Sequence, residues 1–239
     1  MTGRDLDRNE PILLTYVDDA TGERTALTAA ELGDWAAAVS ALLTDGCGLR
    51  PGAGVAVLLP PHWQTAAVLL GAWAAGLEVS FQGEATAGLA GSGGVFDATF
   101  VATARIGSWL EEIPEGKHQF ALPLTPHGGE APDGYRDFLT AAGPFAGGGA
   151  PRVVVGDGEA ATVDGTTYRE WSDLATVLAE RNGIGPGDRV LIDIGAYELP
   201  VQWLLAPLSV GASIVLCAGL DPAHREARRR AEGATRVLA

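Results

Sequence analysis

The chain has 239 residues, 47% of them apolar and 19% charged. That composition fits one large or two small globular domains and excludes the disordered, collagen-like and coiled-coil classes. Sixteen basic residues against thirty acidic ones give a net charge of −14, which repels phosphate backbones and anionic lipid, so neither nucleic acid nor a membrane surface is an expected partner. Lys117 is the only lysine, and any chemistry that needs a lysine has one candidate.

In chain order, the first eleven residues are polar and acidic, without the basic and apolar stretches of a secretory signal, and a cytoplasmic location is expected. Thr28-Ala29-Ala30-Glu31 is a T-x-x-E capping box followed by Leu32, Trp35, Val39 and Leu42 at helical spacing, which predicts a helix. A Pro51-Gly52 turn leads to a predicted strand at 55–59, a helix at about 63–75 and a short strand at 79–81. Residues 125–151 are rich in Gly and Pro and end in Gly147-Gly148-Gly149-Ala150-Pro151, a linker. A second T-x-x-E box, Thr167-Tyr168-Arg169-Glu170, precedes Trp171, Leu174 and Leu178. A Pro186-Gly187 turn, a strand at 190–194, a helix at about 199–210 and a strand at 213–216 follow. The uncharged runs at 51–77 and 199–220 are crossed by Pro60, Pro61, Pro200 and Pro207 and do not supply a membrane span.

The two runs match each other. Leu49-Arg50-Pro51-Gly52-Ala53-Gly54-Val55 aligns with Ile184-Gly185-Pro186-Gly187-Asp188-Arg189-Val190 and stays in register to Gly76 against Gly211. Ala98-Thr99-Phe100-Val101 then pairs with Ala234-Thr235-Arg236-Val237 after a one-residue slip. Near-continuous apolar strands joined through helices read as parallel sheet buried on both faces. The expectation is an α/β fold of two similar parallel-sheet units related by internal duplication, at 1–124 and 152–239, joined by the linker at 125–151.

The T-x-x-E-L helix, the run from Gly48 to Pro60 (G-L-R-P-G-A-G-V-A-V-L-L-P) and a helix ending in Ala74-Ala75-Gly76 resemble the opening of the AMP-binding, adenylate-forming enzymes such as the acyl-CoA synthetases and luciferases. The chain is similar to short actinobacterial proteins that are distant relatives of those enzymes. The resemblance implies two large α/β subdomains. Pro207-Leu208-Ser209-Val210-Gly211-Ala212-Ser213-Ile214-Val215-Leu216 is similar to the segment that follows the family's phosphate loop.

That loop reads approximately [ST]-G-[ST]-[ST]-G-x-P-K-G. Its counterpart here is Asp164-Gly165-Thr166-Thr167-Tyr168-Arg169-Glu170-Trp171. Gly165, Thr166 and Thr167 fit, but Tyr168 stands at a glycine position, Glu170 at the proline and Trp171 at the lysine. Carboxylates on both sides of a phosphate site are electrostatically wrong. Lys117, in a segment that reads as a surface turn after a helix, does not restore the charge. The family's second catalytic lysine, adenine motif and mobile C-terminal domain would fall beyond residue 239. No catalytic residue is assigned, no cofactor is expected, and ATP or AMP is not an expected ligand.

Gly165, Thr166 and Thr167 remain ligand candidates. So do His62 (after Pro60-Pro61) and Tyr197 (after Gly195-Ala196), because open α/β sheets place ligands beyond the strands' carboxyl ends. Cys47 and Cys217 lack a C-x-x-C spacing, and His62, His118, His127 and His224 lack an H-x-x-x-H or H-x-H pair, so reduced structural thiols and no metal site are expected. The Asp18-Asp19 and Glu111-Glu112 pairs read as solvated loop acids. Trp63, Trp73 and Trp203 read as core, and the basic run from His224 to Arg230 as a solvated helix face. Three functions fit: a non-catalytic relative acting in binding or assembly, as a homodimer or with a protein partner; a small-molecule binder using the crevice; or a subunit completing a separate ligase.

Overall fold

The computed structural model describes residues 10–83, 95–108, 113–124, 130–149 and 153–239. The first nine residues, the Glu111-Glu112 pair, His127 and the Ala150-Pro151 end of the linker lie outside these. Among these residues ten strands form two five-stranded sheets. The first runs β4 (Glu78–Phe81), β3 (Gly54–Leu58), β5 (Phe96–Ala102), β6 (Gly116–Leu122) and β7 (Arg136–Asp137), all parallel. The second runs β10 (Arg236–Leu238), β8 (Arg189–Asp193), β9 (Ser213–Ala218), β1 (Ile12–Asp18) and β2 (Arg24–Thr28), parallel except for the β1–β2 hairpin. The α/β class follows directly.

Both capping boxes form. Thr28 accepts from the Glu31 amide at the start of α1 (Ala29–Ala41), and Thr167 accepts from the Glu170 amide at the start of α4 (Tyr168–Arg181). Each glutamate in turn accepts from its threonine's backbone N–H, so two otherwise orphaned amides are satisfied at each helix start. Between the strands lie α2 (Trp63–Ala74) in the first run and, in the second, a π turn at Val201–Leu205 leading into α5 (Ala206–Ser209). Two further α-helices among the described residues are α3 (Phe138–Ala142) and α6 (Arg225–Ala231). The spatial orders β4-β3-β5 and β9-β8-β10 are the same, second strand, first strand, third strand.

Sheet membership departs from the expected division at 124 and 152. The amino-terminal hairpin belongs to the second sheet, where Leu14 pairs with Ile214 and Val17 with Cys217. The expected linker contains β7 and α3, which join the first sheet. A single core cluster takes in residues of both sheets, from Leu14 and Val55 to Phe100, Trp203 and Ile214. Lys117 is a second difference: it lies on β6 rather than in a turn, paired with Asp97 on β5 at 2.7 Å. Among the described residues no helix is long and apolar enough to cross a membrane.

Candidate functional site

The segment aligned with a phosphate loop is a tight hairpin. Ala161 N–H donates to the Thr166 carbonyl at 2.8 Å and Gly165 N–H to the Thr162 carbonyl at 2.9 Å. Gly165 has φ +88°, with nothing within 4 Å of where a Cβ would stand, so the turn requires its conformation rather than its small size.

The donors a bound anion would need are already used. Asp164 Oδ1 accepts from the Thr162 hydroxyl (2.6 Å), the Thr166 hydroxyl (2.9 Å) and the Thr166 amide (3.1 Å). These bonds, the Thr162 hydroxyl's first, hold the Asp164 carboxyl below the usual carboxylate range. Glu170 Oε2 accepts from the Thr167 amide and hydroxyl, each at 2.8 Å, and these lower its pKa in turn, the amide bond most. The hairpin therefore carries its own two anions. Tyr168, at the family's glycine position, donates its hydroxyl to the Trp73 carbonyl at 3.0 Å and so fastens α4 to the last turn of α2. Its burial, with the charges of Glu159 and Glu78, pushes the phenol up to about 12.

The hairpin is also at the other end of the strands from the crevice. Val163 Cγ1 would lie 3.8 Å from a Cβ at Gly54, the first residue of β3, whereas His62 and Tyr197 follow the carboxyl ends of β3 and β8. His62 caps the amino end of α2 while Tyr168 touches its last turn, a separation of about 16 Å along the helix at 1.5 Å per residue. The five candidates do not converge.

His62 itself is committed to the fold. Its side chain is 2% exposed; Nδ1 accepts from the Gln64 amide at 3.2 Å, and Nε2 faces Glu23 Oε1 at 3.6 Å. The ring stands edge-on to Tyr16, with centroids 4.2 Å apart. Burial lowers its pKa against the opposing pull of Glu23. Tyr197 is half-buried against the core in a turn closed by Asp193, whose Oδ1 accepts from the Gly195 amide at 3.0 Å. The Glu198 carboxylate lies against Gly83, joining this turn to the end of the first sheet.

The remaining side chains singled out by sequence are accounted for locally. Trp203 is fully buried, and Trp63 and Trp73 pack on the core. Asp18 caps its own turn by accepting from Ala20 N–H and the Thr21 hydroxyl. Three of the four arginines of α6 are paired within the chain: Glu226 takes Arg229 at 2.8 Å and Arg230 at 2.9 Å, and Arg228 pairs with Asp19 and, at 3.8 Å, with Glu232. Cys47 and Cys217 are free thiols. Among the described residues no group of three or more His, Cys, Asp or Glu could hold a metal ion.

Sequence reasoning missed an apolar hollow of about 350 Å³ beneath α4, bounded by Leu70 and Trp73 of α2, Leu205 and Leu208 around α5, and Trp171. The signal was present: Trp171 continues the apolar side of α4 beyond Ala175 and Ala179, its two buried residues.

No protein-family model matches the chain. The "TIGR03089 family protein" of Mycobacterium tuberculosis (strain ATCC 25618 / H37Rv) is 34% identical over 233 residues, covering 94% of this chain and 90% of that protein. Among solved structures, the acyl-CoA synthetase of Brucella canis superposes with a TM-score of 0.73 at 20% identity, over 97% of this chain and 45% of that one. The N-terminal domain of FACL13 from Mycobacterium tuberculosis gives 0.69 at 16% identity, over 95% and 58%. The chain thus spans about half the length of these solved structures, and at such identities the likeness is one of fold. The chain belongs to the TIGR03089 family, short proteins with the α/β fold of the N-terminal domain of the adenylate-forming acyl-CoA synthetases.

Proposed function

We propose that this chain is a non-catalytic relative of the adenylate-forming enzymes that acts through binding and assembly. The observation that carries this reading is the hairpin at 164–167, whose amides and hydroxyls serve Asp164 and Glu170. A nucleotide phosphate there would meet two carboxylates in place of positioned positive charge, and phosphoryl and adenylyl chemistry depends on that charge. Trp171 cannot supply it, and Lys117 is held on β6 by Asp97. The separation of the hairpin from the crevice at the carboxyl ends of β3 and β8 supports the same reading. The shared strand order and paired capping boxes support an origin by internal duplication.

ATP–pyrophosphate exchange over a broad panel of carboxylic acids tests the proposal. Exchange should stay at background with every acid; exchange above background that is lost in Lys117→Ala would overturn it. A small-molecule binder is the second reading, favoured by the hollow beneath α4, whose volume falls within the range of ligand pockets.

A further inference from the structure

We propose that α4 is a homodimerisation helix, pairing antiparallel with α4 of a second copy about a two-fold axis that passes between Leu174 and Val177. This deepens the assembly part of the reading above by naming the partner. Its test reads a mass, so it can fail while the non-catalytic reading stands, and the reverse.

The buried side of α4 is carried by Ala175 and Ala179, with Tyr168, Trp171 and Leu178 half-buried beside them. A helix at a protein surface ordinarily turns polar on its opposite side. Here Leu174 is 44% and Val177 57% exposed. Together with Glu170 and Arg181, both exposed, they form one row at spacings of four, three and four residues, which aligns them along a single stripe of the helix. The stripe reads acid, apolar, apolar, base.

That order is its own complement. Turned about an axis through its midpoint, the stripe sets Leu174 against the partner's Val177 and Glu170 against the partner's Arg181. The flanks differ: on one, Trp171 lies beside the partner's Leu178, and on the other Asp173 lies beside the partner's Glu180, a solvent-exposed like pair that weakens the contact without altering the match along the stripe. Each charge is free for the role: among the described residues Arg181 forms no ion pair, and the capping bonds of Glu170 fall on Oε2, leaving Oε1 open. The two bridges would stand about 16 Å apart on either side of the apolar contact, eleven residues at 1.5 Å each.

An isologous contact of this kind covers the same patch on both copies with one set of residues. Exposed ion pairs contribute little affinity. Leu174 and Val177 therefore hold the dimer, and the Glu170–Arg181 pairs set its antiparallel sense. One helix pair gives an interface at the small end of the stable range, so dissociation in the micromolar range is expected.

The test is sedimentation velocity of the full chain from about 1 to about 100 micromolar, at about 0.15 M salt, where repulsion between two copies of charge −14 is screened beyond about 8 Å. The wild-type mass should rise towards twice the monomer. Val177→Asp should stay monomeric throughout while keeping its thermal unfolding temperature. Glu170→Lys and Arg181→Glu should each associate at least about tenfold more weakly, because each alone sets like charges opposite one another. Their equimolar mixture should recover wild-type association, since the lysine introduced at 170 then faces the glutamate introduced at 181. That recovery also separates the pairing from any loss of the helix cap, which mixing cannot restore. A wild-type monomer at every concentration, a dimer that Val177→Asp leaves intact, or a mixture that associates no better than its components would each overturn the proposal.

Discussion

Helices α1 and α4 begin with the same capping box and lead into the same Pro-Gly turn, yet they end in different surroundings. Helix α1 packs on α2 and buries Leu32, Ala36, Ala38, Val39 and Ser40. Helix α4 packs on α5, buries only Ala175 and Ala179, and leaves Leu174 and Val177 in solvent above a hollow. A capping box fixes where a helix starts, and the residues that cover its flanks are decided by distant parts of the chain. For α1 the decisive neighbour is Gly71 of α2, where a Cβ would stand 2.6 Å from both the Ala36 carbonyl oxygen and Val39 Cβ. Ala206 aligns with Gly71 in the second run, and no comparably close approach is needed there.

Val39 is fully buried, so Val39→Asp places an unpaired carboxylate in the core and should cost more than about 3 kcal/mol, read as loss of the cooperative unfolding transition. Gly71→Ala should cost about 1–3 kcal/mol by overpacking the α1–α2 contact, measured by denaturant titration; an unchanged midpoint would show that the two helices can move apart.

The amino end of α2 responds to pH. Burial lowers the pKa of His62 below its ordinary 6.5, while the facing carboxylate of Glu23 and the charge of Asp18 pull the other way. The unfolded chain therefore binds the proton more readily than the folded one. This contribution to stability is fully present above about pH 6.5 and is lost as the pH falls through that value, with a slope of at most about 1.4 kcal/mol per pH unit. His62→Asn, which keeps a capping oxygen, should flatten the slope between pH 6.5 and 5. An unchanged slope would assign it to other groups.

Thr28→Ala and Thr167→Ala should each cost about 1 kcal/mol, and by similar amounts, because the caps are alike although the helices are not. The smallest change belongs to the exposed side of α4, where Val177→Asp should alter monomer stability by less than about 0.5 kcal/mol.

Local features were legible in the sequence. The Thr28–Glu31 and Thr167–Glu170 boxes, the apolar strands and the Pro-Gly turns are decided by residues a few positions apart, and β3 and β8 each begin and end one residue before their predicted bounds. The acids flanking the candidate phosphate loop were legible too, although not that they bond the hairpin's own donors. What escaped depends on long-range pairing. Nothing in Ile12–Asp18 specifies β9 as its neighbour, and the hairpin's place in the second sheet cannot be read from periodicity. The helix expected at 199–210 starts as a π turn, in which the Ala206 amide bonds Val201 five residues back and Pro207 then has no N–H for residue 203. His62 was legible as a residue beyond a strand's carboxyl end. Its burial by Tyr16 and Glu23 depends on that same hairpin.

If, as proposed, the carboxylates of Asp164 and Glu170 stand where a phosphate would bind, magnesium–ATP finds no site on the full chain, and calorimetric titration reads this. No heat of binding should appear at ATP concentrations up to about 1 mM, which places any affinity weaker than about −4 kcal/mol. Saturable binding with a micromolar dissociation constant would contradict it.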